Sequence, residues 1–162
     1  MGRRQQHHDC RAAVRLDPGS GRAGLSVRLD EAHHYDVEVH DGQASVIARI
    51  GPVRQRVAGH PVPAGPLTLA VDIRTAGVLP PAVTRTGGAD DGPTGAGAHG
   101  PDTIAFSVHL GEERLLLAEL DGRYLSTEVA AGFTGRVIGM YVTEGGAVFD
   151  RFDYEGGRDL PG

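Results

Sequence analysis

The chain has no Lys, no Trp and a single Cys, and its aromatic residues are limited to four Tyr and four Phe among 162 positions. With one thiol, Cys10, no internal disulfide can form, and a reducing, cytoplasmic setting is the expectation. No stretch approaches the roughly 18 consecutive apolar residues that a membrane-spanning helix needs, so no membrane partner is expected. Met1 to Cys10 is basic but lacks an apolar segment, so it does not read as a signal peptide. The formal net charge is −5, and Arg3-Arg4 is the only adjacent basic pair. Phosphate binding needs a basic footprint, so nucleic acid is not an expected partner. All sixteen cationic residues are Arg, which reads as coding bias. Scarce aromatics leave Val, Leu, Ile and Ala to fill most of one core, and the length fits one domain over 1–155 with a loose tail at 156–162.

What the sequence does contain is alternation with period two. Leu25, Val27 and Leu29 share one face of a strand, as do Tyr35, Val37 and Val39, with Asp36 and Glu38 pointing away into water. Leu67, Leu69, Val71 and Ile73 repeat the pattern, and so do Ile104, Phe106, Val108 and Leu110. Such alternation buries one face of an antiparallel sheet and wets the other. Asp41-Gly42 between two of these runs is a hairpin signal, because glycine accepts positive φ, and Asp121-Gly122 is read in the same way. Further strands are expected at 11–16, 44–50, 54–57, 114–120, 136–142 and 147–154. No segment carries a sustained helical stripe. About ten short strands with frequent turns point to an all-β, two-sheet antiparallel sandwich of jelly-roll type.

Residues 76–100 break the rhythm, with seven Gly, three Pro and no aromatic. Such a stretch buries too little apolar surface to offset its ordering entropy, and is read as a flexible surface insertion.

Catalytic signatures are missing. The sequence has no HExxH, no zinc-spaced Cys pair, no GxSxG and no phosphate-binding glycine loop, so no metal or cofactor is expected. The eight His read as polar edge and surface residues, and Cys10 as a buried structural thiol. Glycosidase chemistry needs two carboxylates set across a sugar. The clusters Glu112-Glu113, Asp90-Asp91 and Asp150/Asp153 fall in a turn, the insertion and the last strand, and none defines an acid–base pair.

Three stretches carry a resemblance. Gly2-Arg3-Arg4-Gln5-Gln6-His7 resembles the opening of the C-terminal domain of family 43 glycoside hydrolases, the β-xylosidases and α-arabinofuranosidases. GLSVRLDEAHHYDVEV (24–39) is similar to a hairpin of that domain, and the run 120–154, with YLS, FTG, GM and FDRFDY, is similar to its ending. The resemblance implies a concanavalin A-like fold serving as an accessory domain. The hydrolytic carboxylates would lie in a catalytic propeller domain outside this sequence, acting on xylose- or arabinose-containing saccharides. It further implies that Phe133, between Gly132 and Thr134, is presented to the propeller's substrate pocket and closes one end of it. Arg3, Arg4, Gln5, Gln6 and His7 would line the interface with the propeller; taken alone, that stretch reads as a frayed terminus. The family pattern allows a homo-oligomer, and Arg136 stands where an apolar residue is usual. The competing reading is a stand-alone carbohydrate-binding module, which would need an exposed aromatic such as Tyr35, Tyr124 or Tyr141 on a sheet face.

Overall fold

A computed structural model describes residues 2–6, 9–75, 84–85, 102–125 and 136–156. In chain order the strands are β1 (Gly2–Arg4), β2 (Cys10–Asp17), β3 (Arg22–Asp30), β4 (His33–His40), β5 (Gln43–Ile50) and β6 (Val53–Pro61). They continue with β7 (Leu67–Thr75), β8 (Thr84–Arg85), β9 (Asp102–Leu110), β10 (Glu113–Asp121), β11 (Val137–Glu144) and β12 (Val148–Gly156). One 3₁₀ turn, Gly122–Leu125, follows β10. The first sheet has the order β1-β11-β3-β4-β5-β6 and the second β12-β2-β7-β9-β10-β8. All described pairings are antiparallel except that of Thr84–Arg85 with Leu115–Leu116, which is parallel. The all-β, two-sheet sandwich read from the alternation is therefore what the chain forms. Thr84–Arg85 falls within the segment read as an insertion, and the rest of 76–100 lies outside the described residues.

The period-two residues meet between the sheets. Leu25, Val27, Tyr35 and Val37 from the first sheet face Leu69, Val71, Ile104 and Phe106 from the second, all buried. Tyr35 and Phe106 pack edge to face at 6.5 Å, and the Tyr35 hydroxyl donates to the Asp121 carbonyl at 2.8 Å. Burying each large aliphatic side chain contributes about 1.5–3 kcal/mol, so a core with few aromatics is sufficient when both sheets supply full inner faces.

Of the two Asp-Gly signals, one behaves as expected. Asp41 and Gly42 both have positive φ (50° and 71°) and close the β4–β5 hairpin. Asp121-Gly122 does not form a hairpin but leads into the 3₁₀ turn. A Cβ on Gly122 would lie 1.8 Å from Asp102 Oδ1, so the glycine is required by close approach of another segment rather than by a turn.

Candidate functional site

The N-terminal segment is a strand rather than a loose end. β1 pairs with the start of β11, setting Arg3 opposite Ile138 and Arg4 opposite Val137. The Gln5 amide donates to the Arg136 carbonyl at 2.8 Å, and the Gln6 amide donates to the Tyr154 hydroxyl at 3.1 Å on β12. Arg3 lies 4.6 Å above the Tyr154 ring and donates to Gln6 Oε1 at 3.0 Å. The segment thus bridges the edge of the first sheet to the edge of the second. The Arg3–Gln6 stretch named from sequence stands at this edge. His7 and the Gly132-Phe133-Thr134 triplet lie outside the described residues, although Arg136, paired to Gln5, is only two positions beyond Thr134.

Arg136 holds the base of that segment together. Its guanidinium forms a bidentate ion pair with Asp102, the first residue of β9, and donates to the Leu125 carbonyl at 2.8 Å and the Gly122 carbonyl at 2.7 Å. Leu125 and Arg136 flank residues 126–135, so one side chain ties both ends of that stretch to the start of β9. A planar fork with five donors can satisfy a carboxylate and two carbonyls at once, which an apolar residue at this position could not. The cysteine beside this edge is inert: burial pushes the Cys10 thiol up to about 11.

The outer sheet faces differ from the expectation of wet surfaces. Asp36 and Glu38 point away from the core as the alternation predicts, yet are only 6% and 5% exposed. Asp36 accepts from the Ser26 hydroxyl at 2.5 Å and pairs with His34 Nδ1 at 2.9 Å. Glu38 accepts from the Tyr141 hydroxyl at 2.8 Å and from Arg22 at 3.3 Å. Burial, with the nearby Asp36 and Glu38 carboxylates adding to it, pushes the Tyr141 phenol well above its usual range, so it stays a donor. In the Ser26–Asp36–His34 group the acid, not the histidine, holds the hydroxyl, so it does not form a nucleophilic triad. Asp36 and Glu38 are two positions apart on one strand, about 6.6 Å. They share a single floor instead of facing each other across a sugar, and each already accepts hydrogen bonds, Asp36 from Ser26 and Glu38 from Tyr141 and Arg22. Sequence reasoning missed this pair. Its signal was the D-x-E alternation in a central strand, which looks solvated until the neighbouring strands are placed.

On the opposite face, Asp72 is 1% exposed and lies 2.5 Å from Arg114 and 4.0 Å from both Arg11 and Arg74. His109 beside it is pushed down to about 4 by burial, with the Arg11 and Arg114 charges adding to the effect, so it is neutral near pH 7. His34 is thus buried and His109 half-buried, where surface positions were expected. Among the described residues, no group of three or more His, Cys, Asp or Glu could hold a metal ion.

Two six-stranded layers around an aliphatic core, with chemistry confined to their faces and edges, define the chain as a sandwich of the concanavalin A-like class. The family model for the β-xylosidase C-terminal concanavalin A-like domain matches residues 1–84 and 96–155, and the chain belongs to that family. It is 26% identical to a non-reducing end α-L-arabinofuranosidase of Bacteroides ovatus, over 95% of this chain and 27% of the relative. Among solved structures, the Bacteroides ovatus xyloglucan PUL GH43B superposes with a TM-score of 0.71 at 25% identity, over 96% of this chain and 29% of that one. The GH43 protein of Bacillus licheniformis superposes at 0.70 with 19% identity, over 94% and 28%. The chain thus spans well under a third of the length of these relatives, in which the domain is fused to a larger GH43 catalytic portion. It corresponds to the accessory C-terminal β-sandwich of those relatives.

Proposed function

We propose that this sandwich shapes the substrate pocket of a GH43-type catalytic propeller acting on xylose- or arabinose-containing saccharides. Residues Gly132, Phe133 and Thr134 would carry the contact, with Phe133 closing one end of the pocket and excluding water. Arg3, Arg4, Gln5, Gln6 and His7 would line the interface. The observation that carries this reading is the Gln5–Arg136 hydrogen bond within the β1–β11 pairing. It sets Gln5, in the stretch proposed for the interface, against Arg136, two positions beyond Thr134 in sequence, so one docking event would engage both. The exposed forks of Arg3 and Arg4 suit carboxylates or carbonyls on the partner.

The test is a chimera in which this chain replaces the corresponding domain of the Bacteroides ovatus arabinofuranosidase. The proposal expects hydrolysis above that of the catalytic portion without any sandwich. It also expects Phe133→Ala to lower kcat/KM about tenfold while leaving the melting temperature unchanged. A chimera no better than the bare catalytic portion, or one indifferent to Phe133→Ala, would overturn it.

A further inference from the structure

Cross-strand register lines up an unusual row on the outer face of the first sheet. Tyr141, Gly24, Glu38, Ser45 and Gly59 are consecutive partners across β11, β3, β4, β5 and β6. The next row reads Gly139, Ser26, Asp36, Ile47 and Arg56. Small residues recur in both rows, with the two carboxylates together in the middle. Longer side chains stand at the margins: Arg22 and His40 on one side, and Arg56, whose guanidinium is turned over Gly59 and donates to Gln43 Oε1 at 2.5 Å. The result is a trough running across the strands. A cavity of about 510 Å³ lies on its β4–β6 side between Arg22, Glu38, Ser45 and Arg56. A second of about 220 Å³ lies on its β11 side beside Tyr141, Ser26 and Gly2. The Tyr141–Glu38 hydrogen bond separates the two.

The chemistry of the trough selects its occupant. A protein partner would need an apolar centre, and Ile47 is the only large apolar side chain in either row. A polyanion would meet Asp36 and Glu38 at the floor. A neutral polyol suits it: its hydroxyls both donate and accept, matching carboxylates set beside guanidinium and hydroxyl groups, with a half-buried tyrosine ring as a wall. Arg22 Nε is also a buried donor with no hydrogen-bond partner, its nearest acid being Glu144 at 3.7 Å.

We propose that this trough is an oligosaccharide-binding site, with Glu38 as the central acceptor, Arg22 and Arg56 as donors, and Tyr141 as the stacking wall. It does not depend on the pocket-closing role proposed for Phe133. A saccharide chain held here would be retained by the accessory domain itself.

The experiment is amide NMR titration of the full chain with xylohexaose and with an arabinoxylan oligosaccharide. The expected result is saturable shifts centred on Gly24, Glu38, Ser45, Gly59 and Tyr141 with at least one of the two. Glu38→Gln and Tyr141→Ala should each weaken binding about tenfold, the loss expected from one charge-assisted hydrogen bond or one aromatic wall. Because Glu38 is buried, Arg56→Ala, at an exposed edge, serves as the variant that does not threaten folding and should weaken binding threefold or more. Phe133→Ala should bind as the parent does, so failure here and failure of the pocket-closing role are read separately. No shifts at millimolar sugar, or shifts confined to β1 and the start of β11, would overturn the proposal.

Discussion

On the outer face of the first sheet, Asp36 accepts from the Ser26 hydroxyl, Glu38 accepts from the Tyr141 hydroxyl and from Arg22, and an open cavity remains beside Glu38. On the outer face of the second, Asp72 is surrounded by three arginines and a neutral histidine. Both faces bury acid where alternation predicts water, but they do so to different ends. The arginines around Asp72 converge on one carboxylate, which is a structural arrangement. The first sheet leaves Glu38 bordering an open cavity and lays small residues around it.

The contrast can be broken by stability measurements. Removing Asp72 leaves three guanidinium groups crowded without their counter-charge, so Asp72→Ala should cost about 3–5 kcal/mol in urea unfolding. Asp36→Asn keeps an acceptor for Ser26 and should cost only about 1–2 kcal/mol. Equal losses would show that the two faces are not different in kind. Next in size is Arg136, where the arginine rather than the acid is the hub. Arg136→Ala strands Asp102 and the Leu125 and Gly122 carbonyls and should cost about 2–3 kcal/mol. Arg136→Lys should recover less than half of this, because an ammonium cannot reproduce the fork.

The smallest effect is a pH slope confined to the second sheet. His109 titrates near 4 when folded and near its ordinary 6.5 when unfolded, so below 6.5 the unfolded chain binds the extra proton. Stability is therefore full above pH 6.5 and declines as pH falls towards 4. His109→Gln should flatten the unfolding free energy over that window, read by urea midpoints at several pH values. An unchanged slope would assign the acid sensitivity to other groups.

The inner half of this molecule was written in the sequence and the outer half was not. Alternation located β3, β4, β7 and β9 and their core faces, because a one-residue shift would expose every apolar side chain. The Asp41-Gly42 hairpin was legible from local turn chemistry, whereas Asp121-Gly122 was misread because the constraint on Gly122 comes from Asp102, distant in sequence. The same limit hid the trough. Tyr141 and Glu38 are 103 residues apart, and only the register of β11, β3 and β4 brings them together. Arg136 was visible as a departure from the family pattern, but its purpose emerges only when the three segments it joins are placed.

The pocket-shaping proposal assigns hydrolysis to a catalytic partner rather than to this sandwich. The most direct measurement is release of 4-nitrophenol from aryl β-xyloside and aryl α-L-arabinofuranoside by the purified chain alone. The account predicts a rate no greater than that of buffer. Turnover that disappears in Asp36→Asn or Glu38→Gln would contradict it, and would make the floor of the trough an active site.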